Sequence, residues 1–112
     1  MNLKELAKKL ELEEKELIEL IDLFLKTSSS ELTELQSALQ KKDFQVAERM
    51  AHSIKGAAGS LGFADIYDEA KKMEVASREN RLVDIHEGFG IIKEKLDLIA
   101  EGFKREETYA KD

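Results

Sequence analysis

An all-α fold is what this sequence predicts: an antiparallel up-and-down four-helix bundle with an additional short helix at its N-terminus. Three observations carry that expectation. Nearly every segment places its apolar residues at helical spacing, and none alternates apolar and polar with the period of two that a strand requires. Charged residues make up 38% of the chain and apolar ones 42%, the balance of a small bundle of amphipathic helices. The connections between periodic segments are short, which makes consecutive helices antiparallel neighbours.

The elements follow in order. Residues 2–10 carry Leu3, Leu6, Ala7 and Leu10, a short segment that lies across one end of the bundle. Residues 13–27 put Leu17, Leu20, Ile21, Phe24 and Leu25 on one face and run into Thr27, Ser28, Ser29 and Ser30. Ser28 followed by Glu31 has the spacing of a capping box, so a new helix is expected over 29–41. A kink within one long helix is the alternative. That segment offers Leu32, Leu35, Ala38 and Leu39, with Lys41 and Lys42 in its last turn, where cations suit the helix dipole. Asp43 reads as the N-cap of a helix over 44–61. Its core residues are Phe44, Ala47, Ala51, Ile54, Ala58 and Leu61, and Gly62 is placed to stop it.

The next helix, 64–79, uses Tyr67, Ala70, Met73 and Ser77, with Asn80 to end it. The last, 82–104, sets Leu82, Ile85, Phe89, Ile92, Leu96, Ile99 and Phe103 at alternating spacings of 3 and 4, a bundle seam. The polar tail from Arg105 to Asp112 is expected to be flexible. The bundle is built from the last four segments, and the N-terminal ones cover one end or extend the second helix. Residues 1–112 form a single domain with its bundle over about 13–104.

At 112 residues the chain can support one core without staples, burying roughly 60–70% of the surface its unfolded form exposes. It has no Cys, which removes disulfides and thiolate metal sites. The net charge of −6 argues against nonspecific nucleic-acid binding, which recruits basic surfaces. No apolar run approaches the roughly 20 residues of a membrane span, so no membrane insertion is expected. The opening MNLKELAKKLELEEK lacks the apolar core of a signal peptide, and a cytoplasmic protein is expected.

The stretch AHSIKGAAGSLG, residues 51–62, carries the chemistry. On a helical wheel its core residues point one way, and His52, Lys55, Gly56 and Gly59 cluster roughly 130° away. An imidazole on that stripe faces solvent with a lysine one turn on. Two glycines in a helix interior cost together about 2 kcal/mol relative to alanine, so an exposed pair calls for a reason. Absent side chains let another protein surface approach His52. A phosphorylated imidazole is negatively charged, and an ammonium one turn away can pair with its oxygens. The neutral ring is itself a nucleophile. A lone surface histidine is usually only solvated, and small residues usually mean close packing. His-x-x-Lys-Gly on one outer stripe favours chemistry.

This stretch resembles the signature of the histidine-containing phosphotransfer (HPt) domains of multistep phosphorelays, and the likeness extends over about residues 13–104. The resemblance implies a carrier that accepts a phosphoryl group from a receiver-domain aspartate and passes it to another receiver. It implies no enzyme, cofactor or metal of the chain's own, because the receiver contributes the acidic pocket and Mg²⁺. The partners it implies are a response-regulator receiver domain, a histidine kinase, or both, and the chain is expected to be a monomer. By carry-over His52 is the phospho-acceptor, Lys55 stabilises the phosphoryl group, and Gly56 with Gly59 gives docking clearance. Glu74 stands where some members orient the imidazole through Nδ1–H, leaving Nε2 free. Arg49, Lys71 and Arg78 are candidates for a basic patch that meets an acidic receiver. His86 has no such surroundings and reads as a surface residue. Two alternatives remain: the phospho-acceptor domain of a chemotaxis-type kinase, fed by a kinase domain, and a helical adaptor that is not phosphorylated.

Overall fold

The structure, a computed structural model, describes the backbone of residues 2–111 and the side chains of residues 2–105. It holds five helices and, among the described residues, no strand: α1 (Leu3–Lys9), α2 (Glu14–Gln40), α3 (Phe44–Leu61), α4 (Ala64–Arg78) and α5 (Leu82–Lys111).

The two segments expected over 13–27 and 29–41 are one helix, α2. Leu17, Ile21, Phe24, Ser28, Leu32, Leu35 and Leu39 recur at steps of 3 and 4 and are all buried, so the core stripe passes through Ser28 without a break. A new helix at Ser28 would turn the downstream face away from the core. The serine is fully buried, and its hydroxyl has no hydrogen-bond partner among the described residues. The reciprocal cap sits at the true start, where the Glu13 N–H donates to Glu16 Oε1 at 3.1 Å. Leu20, expected in the core, lies off the stripe and is 42% exposed. Lys41 and Lys42 follow the last turn rather than lying in it, because α2 ends at Gln40. Lys42 turns the chain with a φ of 54°.

Beyond that corner the local signals hold. Asp43 Oδ1 accepts from the Val46 N–H at 3.3 Å and starts α3. Gly62, at φ 76°, ends it in the left-handed region that glycine enters without penalty. Asn80, at φ 58°, follows the end of α4. α4 buries Ile66 in place of the expected Tyr67, which is only half-buried. In α5, Ile85, Ile92, Leu96 and Phe103 are buried, while Leu82, Phe89 and Ile99 flank them. Its helical backbone continues to Lys111, past the expected end at 104. Most of the tail expected to be flexible lies outside the residues whose side chains are described.

Packing joins α2 to α3, α3 to α4, α4 to α5, and α5 back to α2, while α1 rests on α2. The Phe24 and Phe63 rings, with centroids 5.3 Å apart, fasten α2 to the corner between α3 and α4. Fully buried Leu17, Ile21, Leu35, Ile54, Ile66, Ile85 and Ile92 fill the centre, each stabilising the fold by about 1.5–3 kcal/mol. This core holds α3 and α4 side by side, so that their adjoining edges are presented as a rigid pair.

Candidate functional site

Ala47, Ala51, Ile54, Ala58 and Leu61 anchor α3 to the core, and this fixes which residues it presents outward. His52 is on the opposite side, its side chain 69% exposed. Lys55 and Glu48 lie on the edge of α3 that meets α4, and Glu74 and Arg78 lie on the facing edge of α4.

Glu74 is the centre of the arrangement. Its side chain is only 9% exposed, and both carboxylate oxygens are engaged. His52 Nδ1 is hydrogen-bonded to Oε2. The Lys55 ammonium donates to Oε1 at 2.9 Å and is itself largely buried. Arg78 Nη2 approaches Oε1 at 3.9 Å, while its Nε donates to Glu48 Oε1 at 3.0 Å. Lys55 beside it, and then His52, hold the Glu74 carboxyl below the usual carboxylate range, against the opposing pull of burial. Glu74 is therefore an ionised, acceptor-only group at neutral pH. The proton between the two side chains then belongs to Nδ1, and Nε2 is the ring nitrogen turned away from the carboxylate.

The glycines of the stripe differ in their surroundings. A Cβ built on Gly56 would meet nothing within 4 Å, so the helix is bare there toward solvent. A Cβ on Gly59 would lie 3.1 Å from Cδ2 of Tyr67, so its missing side chain makes room for a ring of α4. Arg49 and Lys71 are exposed and make no ion pair among the described residues. Lys71 lines a groove between α4 and α5 together with Lys72, Asp68 and Asp84. Of the basic candidates, Arg78 alone joins the network around His52. His86 is exposed on α5.

Two features of this face escaped the sequence. Glu48 pairs with Arg78 thirty positions away, a contact that no local spacing announces. Leu20 and Leu23 line an apolar groove of about 330 Å³ with Ala57 and Ser60, which lie one to two turns beyond His52 on α3. The exposure of Leu20 and Leu23, at 42% and 59%, is the sign of that groove. Among the described residues no cluster of His, Cys, Asp or Glu could hold a metal ion, and no helix is long and apolar enough to cross a membrane.

The family model of the Hpt domain matches residues 19–102. The chain belongs to this family. As an Hpt domain it is a phosphotransfer carrier of two-component phosphorelays. It is similar to the crystal structure of histidine-containing phosphotransfer protein B from Pseudomonas aeruginosa PAO1, with a TM-score of 0.83 and 28% identity. That likeness covers 93% of this Hpt chain and 90% of the other. No curated protein sequence matches it.

Proposed function

We propose that His52 is the phospho-acceptor of this Hpt domain, and that Nε2 is the attacking atom. The observation that carries this reading is the pairing of an exposed imidazole with a buried carboxylate through Nδ1, which leaves Nε2 as the free nucleophile toward solvent. In the transfer, Nε2 bonds to the phosphorus of a receiver's aspartyl phosphate while the phosphorus–oxygen bond to the aspartate breaks. The receiver's carboxylate leaves with the electron pair. The ring becomes cationic, and Glu74 stabilises it through the hydrogen bond it already accepts.

Lys55 has two tasks in this reading. Its ammonium holds Glu74 ionised and in place, at 2.9 Å from Oε1. It has three N–H donors, so it can also reach a phosphoryl oxygen. Open space at Gly56 gives a receiver domain clearance over the imidazole. Gly59 serves the packing of Tyr67 and contributes less to that clearance. The groove lined by Leu20, Leu23 and Ala57 gives the receiver an apolar seat beside the histidine, and Arg49 and Lys71, unpaired among the described residues, offer it positive charge. The acidic pocket and Mg²⁺ belong to the receiver, and this chain is a carrier rather than an enzyme. The carrier is an antiparallel up-and-down four-helix bundle with α1 as an extra element, and it works as a cytoplasmic monomer.

The test is direct. Protein incubated with a phosphorylated receiver domain takes up acid-labile, base-stable phosphate, and His52→Gln takes up none. Label from neither receivers nor kinases would leave the adaptor reading in its place. Label that survives in His52→Gln would put the acceptor elsewhere.

A further inference from the structure

One carboxylate beside His52 has no part in the transfer as described. Glu48 lies four residues before His52 on α3, so the two side chains stand on one face of that helix, a turn apart. It accepts from Arg78 Nε at 3.0 Å, whereas the nearest approach of the same guanidinium to Glu74 is 3.9 Å. Glu48 therefore draws Arg78 toward itself and away from the carboxylate that holds the imidazole. It also closes a charge balance. Around the ring stand two carboxylates, Glu48 and Glu74, and two cations, Lys55 and Arg78. A phosphoryl group on Nε2 places roughly −1.5 to −2 of charge on its oxygens, offset in part by the ring, which becomes cationic. Without Glu48 the cluster would be net positive before the phosphoryl group arrives, and would retain it.

We propose that Glu48 sets how readily His52 gives up its phosphoryl group, by holding Arg78 and by placing a charge of the same sign as the phosphoryl group one helical turn from His52. This rests on the reading of His52 as the phospho-acceptor. In the exchange the Nε2–phosphorus bond and the aspartyl oxygen–phosphorus bond replace each other, and Glu48 touches neither. It raises the free energy of the phosphohistidine relative to the aspartyl phosphate, and so keeps the carrier reversible. A like charge at this spacing, acting on roughly two phosphoryl charges at a solvated surface, moves the equilibrium about two- to fivefold.

The experiment mixes the wild-type or Glu48→Gln protein with a receiver domain and limiting phosphate, and reads the ratio of phosphohistidine to phosphoaspartate at equilibrium in low salt. Glu48→Gln is expected to move the ratio toward the carrier about two- to fivefold. Glu48→Asp, which keeps the charge, is expected to stay closer to wild type, and added salt to shrink the Glu48→Gln shift. A misfolded variant would take up less label and move the ratio the other way, so a shift toward the carrier has no trivial origin. An unchanged ratio, or one displaced toward the receiver, overturns the role of Glu48 alone. Wild-type protein that takes up no label overturns the reading of His52 instead.

Discussion

Met73 and Glu74 are neighbours in α4 and both are buried, yet they serve different seams. Met73 turns to α5, where the missing side chain of Gly88 admits it so closely that a Cβ there would overlap its Cγ and lie 2.8 Å from its Sδ. Glu74 turns to α3, where His52 and Lys55 engage both of its oxygens. Where Met73 meets Gly88 the first seam rests on shape. The second buries a charge, which costs desolvation that an apolar pair would avoid. One helix thus holds the bundle together along one edge and holds the His52 imidazole along the other. Stability and chemistry should therefore respond to different substitutions.

The largest expected effect is on chemistry. Glu74→Ala removes the acceptor that fixes the imidazole, and phosphoryl uptake from a receiver should slow about ten- to hundredfold in rapid-quench measurements. The melting temperature should fall less steeply than the rate, because the exposed His52 can turn to water, while the largely buried Lys55 loses its partner. Glu74→Gln, which keeps an acceptor, should lose less. A large drop in melting temperature with unchanged uptake would erase the contrast between the seams.

Next comes the opposite case. Gly88→Val should destabilise the fold by about 2 kcal/mol through overpacking, lowering the melting temperature by about 8 °C. Phosphoryl uptake by the folded fraction should be unchanged, and Met73→Ala in the same chain should recover part of the loss. A smaller effect sharpens the comparison through pH. Lys55 first, and then His52, lower the Glu74 pKa below its ordinary value of 4.5. A depressed carboxyl stabilises the fold fully above the unfolded value and loses that contribution as pH falls through the native one. In urea titrations the difference between wild type and Glu74→Gln should therefore be constant above about pH 5 and change only below it.

Much of this was legible in the chain. Asp43, Gly62 and Asn80 mark helix ends through their own chemistry, and each acts where it stands. The stripe of His52, Lys55 and Gly56 is a property of one helix, so periodicity alone could expose it. Ser28 misled because its capping signal is local, while the stripe from Ile21 to Leu35 that overrides it spans four turns. The spacing through Ser28 held that information: a polar residue in step with the apolar ones is buried. Tyr67 reads as core by its spacing to Ala70 and Met73, and the vacant side of Gly59 draws it to the helix interface instead. The Glu48–Arg78 pair has no signature in one dimension, since it exists only once α3 and α4 lie together.

The corners of the chain have a further consequence. At residues 41–43 and 62–63, and again around Asn80, the chain reverses within a few residues, so α2, α3, α4 and α5 each find the next helix without a search. Of the principal packings only α2 on α5 joins helices that are distant in the chain. Closing it must overcome the loop entropy of everything between. Mostly local contacts make for rapid folding. The closing seam is then the natural place for native-state opening, and hydrogen exchange would see it as a hinge along which the molecule breathes on the side away from His52.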